Sequence, residues 1–165
     1  MCKKNVNAVI RCYKSVSTMD NHIMSYDIPF TSIKHDDVED TMTISDFNIV
    51  TNIDFLGTNN IEHKKNNPLE KRKKIDFILR LTKCSSDESK RIGYDLDTFS
   101  IDMKEMYDSA QVNTACFDFL NCTRTTKVDS LGIPGGTGKY VLKLLIKYED
   151  EKEYTIQAMT SLVII

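Results

Sequence analysis

The sequence predicts an all-β protein: one antiparallel β-sandwich of about seven or eight strands over residues 1–165, with a short connecting α-helix near 102–112. Three observations lead there. Apolar and polar residues alternate with a period of two in several long segments. Long helical segments do not alternate with these strands, as a parallel α/β sheet would require. Each alternating segment has one wet face and one dry face, and dry faces of this kind bury against each other.

Taken in chain order, Val6 to Cys12 reads as a first strand with Val6, Ala8, Ile10 and Cys12 inward. The region from Ser15 to Thr43 gives no firm assignment; a weaker strand pattern lies at Ile23–Ile28, and His35 to Asp40, HDDVED, reads as a surface loop. Phe47, Ile49, Thr51, Ile53 and Phe55 then line one side of a strand, with Asn48, Val50, Asn52 and Asp54 on the other. The polar stretch from Gly57 to Lys74 reads as a long exposed loop joining two antiparallel strands. Ile75, Phe77, Leu79 and Leu81 alternate with Asp76, Ile78, Arg80 and Thr82, and a weaker pattern covers Ile92–Ile101.

Asp102 with Glu105 three residues on reads as a helix N-cap, and Met103, Met106, Tyr107 and Ala110 fall on one helical face, ending at Asn113. A less regular strand follows over Cys116 to Thr126. Tyr140, Leu142, Leu144, Ile146 and Tyr148 alternate with Lys139 to Lys147, and a charged hairpin loop from Tyr148 to Tyr154 leads into a last strand ending MTSLVII. Burying one such Leu or Ile contributes about 1.5–3 kcal/mol, so these stripes supply the driving force. The apolar tail demands burial, in the sandwich core or against a partner or second copy.

Bulk properties exclude several function classes. A 165-residue chain can bury roughly 70% of its unfolded surface, so it needs neither metal nor disulfide to fold. The net charge of −2 gives no global pull toward nucleic acid or an anionic membrane. No apolar run is long enough to span a bilayer, and Arg11 interrupts the N-terminal apolar stretch, against a secretory signal. Five cysteines, an odd number with no CxxC, read as reduced thiols of a cytoplasmic protein. The abundance of Asn, Lys, Ile and Asp points to an AT-rich genome, as in many bacteria, phages and viruses.

The stretch GIPGGTGKY, Gly132 to Tyr140, superficially matches a phosphate-gripping loop. A P-loop needs a first glycine where Ile133 stands, a Ser or Thr where Tyr140 stands, and a helix afterwards. Here a period-two strand follows, so the glycines are expected to shape a tight approach, with positive φ, that launches a core strand. No nucleotide is expected. The segment from Leu131 to Leu144 resembles a phrase of immunoglobulin-like and C2-like sandwich domains, in which a Leu, a Pro or Gly turn and a Tyr-x-Leu strand follow one another. The resemblance implies the sandwich architecture; such folds host many kinds of binding, so it implies no particular function.

Other candidate chemistries are weaker. Lys64, Lys65, Lys71, Arg72, Lys73 and Lys74 form a basic cluster that could contact an acidic partner, but without interleaved aromatics for base stacking it reads as a solvated loop. His35 to Asp40 carries oxygens enough for calcium but lacks the glycine and ligand spacing of an EF-hand. His22, His35 and His63 are far apart, with no HxH or HExxH, and no Gly-x-Ser-x-Gly elbow occurs. The expectation is therefore a non-enzymatic sandwich without cofactor or metal that binds a protein or itself. The alternatives are a viral or phage structural or assembly protein, and a small ligand binder or enzyme with its site near residues 15–43 and 57–74.

Overall fold

The computed structural model describes residues 6–14, 16–19, 22–26, 29–30, 32–33, 46–56, 74–85, 87, 92–103, 105, 119–129, 133 and 135–165. The strands are β1 (Val6–Tyr13), β2 (Val16–Met19), β3 (His22–Tyr26), β4 (Pro29–Phe30), β5 (Ser32–Ile33), β6 (Asp46–Leu56), β7 (Lys74–Lys83), β8 (Gly93–Asp102), β9 (Phe119–Asp129), β10 (Gly138–Tyr148) and β11 (Thr155–Ile164). Seven of them, β1 and β6 to β11 without gap, have eight residues or more and carry the architecture. One sheet has the order β4-β1-β6-β9 and the other β5-β11-β10-β7-β8, with β2 and β3 as a separate hairpin. The long strands pair antiparallel throughout.

The two dry faces meet in a single core. Phe47, Ile49, Ile53 and Phe55 of β6 oppose Ile75, Phe77, Leu79 and Leu81 of β7 and Leu142, Leu144 and Ile146 of β10, all fully buried. These are the inward stripes that the alternation predicts, because successive side chains of a strand point to opposite faces. Val6, Ile10 and Cys12 complete the stripe on β1, with Ala8 partly buried. The tail is accommodated in the same core: Leu162 and Ile164 are buried there, which meets the need for cover through the chain's own fold.

β6 pairs with β1 and β9 while β7 pairs with β8 and β10, so these two consecutive long strands lie in different sheets. The irregular strand expected over Cys116 to Thr126 is described as Phe119–Asp129: it runs on past Thr126, and 116–118 lie outside the described residues. At the helix, Met103 and Glu105 have helical geometry and the Glu105 amide donates to Asp102 Oδ1 at 3.2 Å, which is the expected N-cap bond; the remainder of 106–112 lies outside the described residues.

Each long side of the sandwich is stitched by side chains. In β8 the register slips between Leu79↔Asp97 and Arg80↔Asp95, leaving Leu96 as the extra residue of a β-bulge. The bulge reverses the strand's alternation: Tyr94 and Leu96 face the core before it, Phe99 and Ile101 after it, and Asp97 turns inward. There Asp97 accepts hydrogen bonds from Arg124 and Thr126 of β9, across the gap between the sheets. On the opposite side β11 has a second bulge, between Leu144↔Ala158 and Leu145↔Ile156, with Gln157 as the extra residue. Gln157 Nε2 donates to the Val6 carbonyl of β1 at 2.7 Å. Residues 29–30 and 32–33 also join that side, since β4 pairs with β1 and β5 pairs in parallel with β11.

Candidate functional site

The glycine-rich stretch is a structural clamp. Gly136 has φ 63° and Gly138 φ 142°, the left-handed values that glycine adopts without penalty, and β10 begins directly at Gly138. The Gly136 amide donates to the Ile133 carbonyl at 3.1 Å. The next carbonyls are taken from inside the protein: Lys83 Nζ donates to Gly135 O at 2.6 Å and the Tyr140 hydroxyl donates to Gly136 O at 2.7 Å. A P-loop turns its amides toward an anion. This loop turns carbonyls toward an ammonium group and a phenol, which is the opposite polarity, and a strand rather than a helix follows.

The loop is also tightly seated. A Cβ on Gly135 would collide with the Tyr140 hydroxyl and lie 3.0 Å from that of Tyr94. Burial, reinforced by the neighbouring Tyr94, pushes the Tyr140 phenol above its usual pKa. The Tyr94 hydroxyl is buried with no hydrogen-bond partner among the described residues.

The seam between β8 and β9 holds the least exposed carboxylate among the described ion pairs, Asp97. Arg124 Nε lies 2.6 Å from Asp97 Oδ2 and its second nitrogen donates to Oδ1 at 3.0 Å, a bidentate fork. Thr126 Oγ1 adds a donor at 2.8 Å, and the guanidinium lies 4.5 Å from the Phe99 ring centroid. Hydrogen bonds from Arg124, and then from Thr126, hold the Asp97 carboxyl below the ordinary carboxylate range against the opposing effect of burial. A carboxylate held ionised by its own arginine is suited to closing the seam and poorly suited to accepting a proton.

The outer face of the second sheet presents a different surface. Lys139, Val141, Lys143, Leu145 and Lys147 point outward along β10, next to Val163, Ser161, Met159 and Ile156 of β11. Met159 is 63% exposed and Ile156 39%. Lys147 lies 3.9 Å from Asp76, and its ammonium sits 4.9 Å from the Tyr154 ring centroid. The ammonium groups of Lys139 and Lys143 have no ion-pair partner among the described residues. Leu145 is buried on this face, so its accessible part is formed by Lys139 with Ile156, Met159 and Ser161 of β11, a surface that can pack against apolar groups and meet acidic ones.

Of the basic cluster, Lys74 opens β7 on this same outer face and pairs with Asp76 at 3.4 Å. Lys64, Lys65, Lys71, Arg72 and Lys73 lie outside the described residues, as do the His35–Asp40 loop, His63, Cys2 and Cys116. Sequence reasoning passed over Asp97 and Arg124, which are 27 residues apart and meet only through the fold. The available signal was the break in alternation at Leu96-Asp97. Among the described residues, no group of three or more His, Cys, Asp or Glu side chains is placed to hold a metal ion, and no helix is long and apolar enough to cross a membrane. Cys12, Cys84 and Cys122 are free thiols, and burial pushes the Cys12 pKa up to about 12.

No protein-family model matches this chain, and no curated protein matches it. Among solved structures it is similar to the CooA pilin subunit from enterotoxigenic Escherichia coli, with a TM-score of 0.41 and 10% identity over 97% of each chain.

Proposed function

We propose that the chain is a non-enzymatic β-sandwich interaction module whose partner is a protein and whose setting is the reducing cytoplasm. One observation carries the reading: Ile156 and Met159 stand exposed on the outer face of β11, beside Lys143 of β10, which has no ion-pair partner among the described residues. Large apolar side chains held in the open by a rigid sheet are the usual makings of a contact surface, and flanking lysines give it a preference in charge. The free thiols of Cys12, Cys84 and Cys122 support a reducing compartment. The ion-paired carboxylates of Asp76 and Asp97 are lowered in pKa, which keeps them as structural anions.

The test is affinity capture from source-cell lysate with two baits, the natural chain and an Ile156→Glu/Met159→Glu variant shown to be folded. A protein retained by the first and lost by the second supports the reading. Identical capture by both baits, or a turnover activity abolished by a point substitution, refutes it.

A further inference from the structure

We propose that the free edge of β9 pairs antiparallel with β9 of a second copy of this chain, about a two-fold axis at Thr125. This goes beyond the reading above and uses a different surface. β9 pairs with β6 at all eleven positions, Phe119 to Asp129, without a bulge, and no other strand among the described residues pairs with it. Such an edge offers a row of unpaired N–H and C=O groups to an incoming strand.

The other edges carry devices that discourage pairing, and β9 lacks them. The β8 edge is kinked by the bulge at Leu96 and flanked by Asp95 and Asp97. The free sides of β1 and β11 are partly covered by β4 and β5, and Gln157 takes the Val6 carbonyl. β9 contains no Pro or Gly, and Thr123, Thr125, Thr126 and Val128 are β-branched. Its two cations would ordinarily guard an edge, but each is matched within the chain: Arg124 by Asp97 at 2.6 Å and Lys127 by Asp46 at 3.3 Å.

The register follows from side-chain parity. Residues directly opposite in an antiparallel pair share a face, so a two-fold axis that keeps both cores on one side must pass through a residue position. An axis at Arg124 sets Arg124 against its own copy. An axis at Thr123 sets Lys127 against Phe119 and Thr126 against Leu120. An axis at Thr125 pairs Arg124 with Thr126, Lys127 with Thr123, Asn121 with Asp129 and Cys122 with Val128. Like charges are then never opposed, and polar meets polar while apolar meets apolar. The result is an isologous dimer with one sheet running through both copies.

Size-exclusion chromatography with light scattering tests it. The natural chain should approach twice its 18.9 kDa mass as concentration rises. Thr125 is exposed, so Thr125→Lys and Thr125→Asp chains should fold, as judged by unchanged circular dichroism. Each alone should stay at the single-chain mass, because like charges meet at the axis, and an equal mixture should recover the doubled mass. A natural chain of single mass up to its solubility limit overturns the proposal, as does a Thr125→Lys chain that still dimerises or a mixture that does not recover. If either variant fails to fold, hydrogen exchange on the natural chain decides: alternate amides of residues 121–129 should gain protection at high concentration, and concentration-independent exchange overturns the proposal. A monomer that still captures a partner through Ile156 and Met159 would leave the interaction reading intact.

Discussion

Replacing Asp97 by Ala should destabilise the protein several times more than replacing Asp95, although each makes the same bidentate pair with an arginine. Asp95 and Arg80 meet at 2.6 Å with side chains 44% and 40% exposed. Exposed pairs of this kind contribute roughly 0.2–1 kcal/mol, since water screens the attraction and two long side chains lose freedom. Asp97 is 15% exposed, its partner Arg124 42%, and it also accepts from the nearly buried Thr126 hydroxyl. Its removal strands that hydroxyl, at about 1–3 kcal/mol, on top of the partly screened pair. Asp97→Ala should therefore cost about 2 kcal/mol, or roughly 4–8 °C in melting temperature for a chain of this size. Urea denaturation at neutral pH measures both variants.

The pH dependence supplies a second reading of the same side chain. The folded pKa of Asp97 lies below its unfolded value, so its contribution is fully present above about pH 4 and is lost as pH falls through the folded pKa. The gap between the natural chain and Asp97→Ala should close in acid. Equal costs for Asp95→Ala and Asp97→Ala, or a gap that widens on acidification, would refute the assignment of Asp97 as the stitch of the β8/β9 seam.

Gly135→Ala should lower stability by roughly 1–3 kcal/mol in thermal melts, because the added methyl collides with the Tyr140 hydroxyl and disturbs the clamp on Gly136 O. Phe77→Ala should cost about 3–5 kcal/mol by chemical denaturation, since Phe77 is fully buried and stacks on Phe99 with centroids 5.0 Å apart. A mild thiol reagent at weakly alkaline pH should label exposed Cys84 rapidly and leave Cys12 unlabelled until unfolding, because burial holds the Cys12 thiol protonated; peptide mapping separates the two.

The local pattern alone located the strands wherever alternation was unbroken. The inward stripes of β1, β6, β7 and β10 were legible residue by residue, since the two-residue period is a property of the pleated backbone itself. The launch of β10 from positive-φ glycines was legible for the same local reason. Interruptions blurred the reading: β8 looks weak because the bulge at Leu96 shifts its apolar residues from one parity to the other.

Tertiary structure decided which strands became neighbours. β6 lies between β1 and β9 rather than beside β7, a choice made by competing non-local pairings that leave no trace in either strand's own periodicity. It also decided what the polar inward residues do. Asp97 and Gln157 occupy bulge regions, and only the approach of β9 and β1 gives them Arg124, Thr126 and the Val6 carbonyl as partners. Alternation is fixed by bonds between adjacent residues, whereas partners are fixed by where distant segments come to rest when the core closes.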